Sequence, residues 1–251
     1  MCREPEPVGQ LADPALVEAS GLVASRRAPG ALWLHNDSGD RPRLFLAGPT
    51  GAALGIVPVE GATAVDWEDL AIGPCASGSC LFVADLGDNA RRRASYAVYR
   101  LPEPADARAA VQAEALTVTY DDGAHDAEAL LVHPETGAIT VVEKRPAGPA
   151  GIYDLVGATL TKVGELVLPD GDALVTGGAT RAGGILLRTY ASVYFFPLAS
   201  GATIAEALAG EPCVLPSPPD PQGEAIAWDG AGAFLTVSEG ANASIYRVAC
   251  E

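Results

Sequence analysis

One short pattern recurs five times along this chain, and it constrains the fold more than any other feature. Glu18-Ala-Ser-Gly-Leu22, Asp66-Trp-Glu-Asp-Leu70, Asp126-Ala-Glu-Ala-Leu130, Asp170-Gly-Asp-Ala-Leu174 and Gln222-Gly-Glu-Ala-Ile226 align on an aliphatic anchor, with an acid or amide four positions before it. The anchors lie 48, 60, 44 and 52 residues apart, a mean of 51, which is the period of one four-stranded propeller blade. Such a unit cannot bury its apolar face alone, so the repeats must stack on one another. Within the second unit the strands read Leu70-Ala-Ile72, Leu81-Phe-Val-Ala-Asp85, Tyr96-Ala-Val-Tyr99 and Ala115-Leu-Thr-Val-Thr-Tyr120, separated by turn residues such as Gly87-Asp88-Asn89 and Pro102-Glu-Pro104.

The pattern predicts an all-β chain, a single five-bladed β-propeller domain over residues 1–251, with six blades as the alternative. The expected blades are approximately 15–60, 61–106, 107–157, 158–200 and 201–251. The fifth unit offers three strands before the chain ends, so its outer edge needs a strand from the other terminus. Residues 8–12 are expected to supply it, behind a tether over 1–7.

Two columns of the repeat carry acids. The first holds Glu18, Asp66, Asp126, Asp170 and Gln222, with Ser20, Glu68, Glu128, Asp172 and Glu224 two residues on and therefore on the same strand face. The second, at the ends of the second strands, holds Asp37, Asp85, Glu143, Thr189 and Glu239. In an antiparallel blade these columns meet at one mouth of the central channel. Carboxylates crowded there need compensation, and three kinds are open. A hard cation such as Ca²⁺ takes six to eight oxygens, and the expected ligands are Glu18, Asp37, Asp66, Glu68, Asp85, Asp126, Glu128, Glu143, Glu224 and Glu239. Internal salt bridges to Lys144, Arg145 and Arg188 are the second, and turn chemistry the third. Arg188, Tyr190 and Lys144 are also the candidate ligand-binding groups. Should the site be catalytic, Glu68, Glu128 or His35 is the candidate base. No nucleophile elbow, phosphate loop, dinucleotide fingerprint or zinc spacing of His and Cys occurs.

Composition enters through charge and cysteine. The chain carries 32 acidic against 16 basic residues, a net −16, which disfavours nucleic acid and anionic membrane surfaces. No apolar run is long enough to span a bilayer. Of the five cysteines, Cys75 and Cys80 bracket a short loop and Cys213 and Cys250 are the other expected pair, though reduced thiols in a cytosolic protein would give the same sequence. Cys2 stands where a bacterial lipoprotein carries its acylated cysteine, so a lipid anchor is expected there.

The units Glu18-Ala-Ser-Gly-Leu22, Asp66-Trp-Glu-Asp-Leu70, Asp126-Ala-Glu-Ala-Leu130 and Gln222-Gly-Glu-Ala-Ile226 resemble those of the bacterial SdiA-regulated propeller family and, more distantly, phytase-like and calcium-dependent nucleotidase propellers. That resemblance implies five or six blades, an envelope or extracellular location, and Ca²⁺ near the axis, with Glu18, Asp66, Glu68, Asp126, Glu128 and Glu224 as the matching residues. The phytase branch works on polyphosphorylated substrates and needs a basic surface, whereas this chain has only two lysines. The reading is an extracytoplasmic, monomeric Ca²⁺-binding scaffold that presents its acidic face to an unidentified small molecule or protein. The alternative is a Ca²⁺-dependent hydrolase of phosphate esters or lactones.

Overall fold

The computed structural model describes residues 2–219, 222–230 and 232–250. After a first strand, β1 (Glu6–Gln10), an antiparallel meander holds β2 (Ala19–Ala24), β3 (Leu32–Asn36), β4 (Arg43–Ala47) and β5 (Ala53–Glu60). The next comprises β6 (Trp67–Pro74), β7 (Ser79–Asp85) and β8 (Tyr96–Pro102); then the short β9 (Val111–Gln112) crosses to β5 before β10 (Glu114–Tyr120) returns to β8. A third holds β11 (Ala127–Val132), β12 (Ile139–Glu143), β13 (Ala150–Val156) and β14 (Thr159–Leu166). The fourth holds β15 (Val175–Arg181), β16 (Gly183–Thr189), β17 (Val193–Leu198), a short helix α1 (Ile204–Leu208) and β18 (Cys213–Leu215). Last come β19 (Gly223–Trp228), β20 (Ala233–Ser238) and β21 (Ser244–Ala249).

The fold is all-β and propeller-like. β2 packs on β6, β6 on β11, β11 on β15, β15 on β19, and β19 returns to β2, so the first strand of every group lines a common axis. Burial follows from that placement. β6 and β11 are buried at almost every position, because one face meets the axis and the other a neighbouring sheet. The outer β10 alternates between buried and exposed residues, the period-two signature of a strand with one wet face. Parallel pairing of Thr119 and Tyr120 with Thr159 and Leu160 joins the second and third groups into one eight-stranded sheet.

Several expectations need correction here. The fourth strands β10, β14 and β18 lie beyond the expected divisions at 106, 157 and 200: the connections before β10 and β18 are long enough to hold β9 and α1, whereas β14 follows β13 after a two-residue turn. The N-terminal strand runs over Glu6–Gln10 rather than 8–12, pairing antiparallel with β21 from Glu6 opposite Arg247 to Gln10 opposite Ser244. Beyond it the Leu11 N–H donates to the Ala243 carbonyl at 2.9 Å. A loose tether is not what precedes it: Cys2 is disulfide-bonded to Cys250, and the Arg3 N–H donates to the Ala249 carbonyl. The β4–β5 turn presses against this segment, and a Cβ on Gly51 (φ 90°) would sit 2.0 Å from the Gln10 carbonyl oxygen. Only glycine satisfies both that approach and that backbone.

Cys75–Cys80 forms as expected. Cys213 is a free, exposed thiol, and the expected Cys213–Cys250 pairing gives way to Cys2–Cys250. Pairing β1 with β21 brings Cys2 beside Cys250, a long-range proximity that spacing does not encode. The Cys2 sulfur, expected as a lipid attachment point, is engaged in this disulfide in the structure. Among the described residues no helix is long and apolar enough to cross a membrane.

Candidate metal centre

The acids reach the axis through a device repeated in every group. Each innermost strand carries a β-bulge against its neighbour, between Ala19 and Gly21, Trp67 and Asp69, Ala127 and Ala129, Val175 and Gly177, and Gly223 and Ala225. A bulge inserts one residue and re-aims its side chain. The inserted residues are Ser20, Glu68, Glu128, Thr176 and Glu224, all buried. Ser20 donates its hydroxyl to the Glu68 carbonyl and Thr176 to the Gly223 carbonyl, each tying its strand to the next around the axis.

This register corrects the fourth unit. Thr176, not Asp172, is the equivalent of Glu68, and Gly178 stands where the other units have their aliphatic anchor; the anchors then fall 48, 60, 48 and 48 residues apart. Asp170 and Asp172 lie in the loop before β15. There Asp170 accepts from the Tyr194 hydroxyl and the Asp172 N–H, and Asp172 accepts from the Leu174 N–H, so both do turn chemistry.

The second column also divides. Asp85 and Glu143 turn away from the axis. Asp85 accepts the Val65 and Asp66 N–H groups and pairs with Arg93 at 2.8 Å. Glu143 accepts the Gly151 N–H and contacts His125 Nδ1 at 3.0 Å and Arg91 at 3.3 Å. Asp37, Lys144 and Glu239 each donate a backbone N–H to the residue four before an anchor: Glu18, Asp126 and Gln222 respectively. One residue of offset along a strand reverses the face, which takes Asp85 and Glu143 out of the expected ligand set.

What remains converges. Asp37, Asp66 and Glu68 bring one oxygen each within 4.8 Å of one another, as do Glu68, Asp126 and Glu128, so Glu68 belongs to both sets. Glu18, Glu224 and Glu239 stand beside them, close enough that Glu18 and Glu239 raise the Asp37 carboxyl after burial does. Lys144 is the countercharge: its Nζ lies 2.6 Å from Glu128 and 2.7 Å from the Tyr190 hydroxyl. Burial works against the lysine's charge, but the Glu128 carboxylate outweighs it and the ammonium is held above its usual range. One ammonium does not neutralise this group. Burial first, then the Glu128, Asp37, Asp66 and Asp126 charges, push Glu68 well above the ordinary carboxylate range. Burial, with Asp37 and Asp126, raises Asp66 to about 6, and burial carries Glu224 to about 8 despite Lys144.

Backbone approaches from above. A Cβ on Gly87 would lie 1.9 Å from Glu68 Oε1 and 2.5 Å from Asp66 Oδ2, so the loop after β7 closes on these carboxylates only because it carries glycine there. Its next residue, Asp88, donates its N–H to Asp126 at 2.8 Å, while the Asp88 carboxylate accepts the Arg92 and Arg93 N–H groups and the Tyr96 hydroxyl. The loop thereby positions Asp126.

His35 is no candidate base: it is completely buried, bonded to the Asn36 carbonyl and set edge-on to Trp67. Arg188 is buried too, and donates to the Ala225 carbonyl. Asp69 was missed by sequence reasoning. Fully buried, its carboxylate accepts the N–H groups of Leu70 at 2.8 Å, Leu130 at 2.8 Å and Gly178 at 3.1 Å, joining β6, β11 and β15 beneath the mouth. The signal was an acid where the other units carry Gly21, Ala129, Gly177 and Ala225.

No protein-family profile matches the chain, and no characterised relative is found by sequence. Solved structures do match. The PQQ-bound aldose sugar dehydrogenase of Streptomyces coelicolor superposes with a TM-score of 0.58 at 11% identity, covering 100% of this chain and 98% of that one. The apo-form aldose sugar dehydrogenase of Escherichia coli gives 0.58 at 10%, covering 100% of both chains. A gluconolactonase of Xanthomonas campestris gives 0.56 at 12%, covering 98% of this chain and 89% of that one. At such identities the likeness defines the fold: the chain is similar to soluble β-propeller proteins.

Proposed function

We propose that this protein is a five-bladed propeller that uses a Ca²⁺-type cation at its acidic mouth to hydrolyse a lactone of the sugar-acid type. The observation that carries the reading is Glu68 shared between two carboxylate sets, with donors within 4.8 Å. The donor set fits a hard cation. Every candidate ligand is a carboxylate oxygen, neither histidine nor sulfur takes part, and Gly87 leaves room beside Glu68 and Asp66. Asp37, Asp66, Glu68, Asp126 and Glu128 would hold it. Bound there, such an ion polarises a carbonyl oxygen and lowers the pKa of water.

The chain's own groups supply the rest. Glu68 and Glu128 are buried, whereas Asp37 and Asp66 are only partly so, which leaves the mouth open on their side. Lys144 fixes Glu128 and orients the Tyr190 hydroxyl, a group suited to bond a substrate oxygen. Glu224, buried and in neither carboxylate set, would hold the proton of the attacking water. Water adds to the lactone carbonyl, the ring C–O bond breaks, and the proton goes to the released hydroxyl. The gluconolactonase likeness supports this substrate class, and the two disulfides are compatible with an extracytoplasmic setting.

A second reading, a structural cation in a binding scaffold of the SdiA-regulated type, draws on the burial of Glu68 and Glu128 at 4% and 3% exposure. One experiment separates the two. Hydrolysis of glucono-lactone is followed by pH-stat with and without Ca²⁺, for the native chain, Glu68→Gln and Glu224→Gln. The hydrolase reading expects Ca²⁺-dependent turnover lost in both variants. Ca²⁺-dependent melting without turnover on any sugar lactone supports the scaffold.

A further inference from the structure

The inner strands have a second end, and its chemistry is the opposite of the first. β2, β6 and β19 run from the acidic mouth to Ala24, Ile72 and Trp228, where a cavity of about 830 Å³ opens between the first and last groups. Val8, Leu32, Pro49, Ile72 and Leu235 give it an apolar lining. The charges around it are mainly guanidinium groups. Arg26 lines the wall, its Nη2 donating to the Ile72 carbonyl at 3.3 Å. Arg247 lines it as well, paired with Asp229 at 2.8 Å. Arg181, outside the cavity lining, stacks on the Trp228 ring with its guanidinium carbon 3.6 Å from the centroid. Asp229 is the one acid among the lining residues.

In a chain of net −16, two arginines and a single aspartate line this cavity, at the end of the inner strands opposite the carboxylates. The volume is that of a small-molecule site, apolar walls favour a hydrocarbon body, and guanidinium groups favour an anionic head. We propose that this second mouth binds a small organic carboxylate with an apolar body, its head at Arg26 and Arg247 and its chain against Ile72, Leu235 and Trp228. The site is separate from the acidic mouth and does not depend on the function proposed for it.

Octanoate and 1-octanol are the probes, followed by titration calorimetry and tryptophan emission. Trp33 and Trp67 are fully buried, so a ligand here reports through Trp228. Octanoate is expected to bind saturably at one site and at least about tenfold more tightly than 1-octanol, the discrimination of one charge-assisted hydrogen bond. Arg26→Gln, a change at an exposed side chain, should weaken octanoate about tenfold and leave 1-octanol unchanged. Trp228→Phe should abolish the emission change while calorimetry still registers binding. Glu68→Gln should bind octanoate like the native chain, which separates this site from the acidic one. Absence of saturable octanoate binding up to millimolar concentration, equal affinity for the two probes, or an Arg26→Gln variant that binds octanoate normally would each overturn the proposal.

Discussion

Replacing Cys2 and Cys250 with serine removes the covalent link that holds the first strand against the last, and the structure sets the size of the effect. The two residues are 248 apart in sequence, so the bridge restricts almost the whole unfolded chain. The chain-entropy relation gives about 5 kcal/mol for a loop of that length. Cys75–Cys80 closes a loop only 5 residues long, and the same relation gives about 2 kcal/mol. At this chain length 1 kcal/mol corresponds to about 2 °C in Tm, so the two double-serine variants should melt about 10 °C and about 4 °C below the native protein. Calorimetry under non-reducing conditions measures both. Deleting residues 1–12 should cost more than the Cys2/Cys250 change, because it also removes the pairing of β1 with β21. Equal melting of the two double variants, or a drop of under about 3 °C for Cys2/Cys250, would refute closure of the ring through its termini.

Stability should also fall as pH rises in cation-free buffer. Burial holds Glu224 at about 8 against an ordinary 4.5, so the unfolded carboxyl ionises first; its contribution is complete below 4.5 and is lost as pH passes 8, a change of about 5 kcal/mol. Glu224→Gln should flatten the Tm profile over that interval, and an unchanged slope would show that other groups carry it. Gly87→Ala crowds Glu68 and Asp66 without touching the strands, and should weaken Ca²⁺ binding ~10–100-fold by calorimetry with native circular dichroism; normal affinity would mean the loop does not bear on the ion. Asp69→Ala deprives the Leu130 and Gly178 N–H groups of their buried acceptor, at a cost of about 3 kcal/mol. Hydrogen exchange at those two amides should accelerate selectively, and unaltered exchange would contradict Asp69's role as a tie between strands.

The architecture was legible because two of the five units keep both an acid four residues before an aliphatic anchor and another two before it, and Gln222 and Ser20 depart only by one substitution each. The fourth unit was not, for a physical reason. Gly178 takes the anchor's place, packed so closely that a Cβ would lie 2.7 Å from Leu131, while the loop Asp170-Gly-Asp172 imitates the motif four residues too early. The two acidic columns pointed to one mouth, yet the sequence could not say that Asp85 and Glu143 are the register equivalents of Asn36, one residue before Asp37. Backbone pairing decides that, and pairing is a long-range property. The same holds for Cys2 and Cys250, and for His35, whose polar sequence neighbours Asn36 and Asp37 conceal a position inside the core.

The five bulges have a consequence for how such a ring can change. Because each bulge is made by backbone pairing, its inserted side chain can vary while the strands around it stay the same, as Ser20, Glu68, Glu128, Thr176 and Glu224 already demonstrate. The mouth is then a dial of five sockets whose total valence is set by which sockets hold carboxylates. Three are filled by glutamate and two by hydroxyls that stitch neighbouring strands. Exchanging contents between sockets would retune the charge offered to an ion without redrawing the fold, so architecture and chemistry in this chain are separately adjustable.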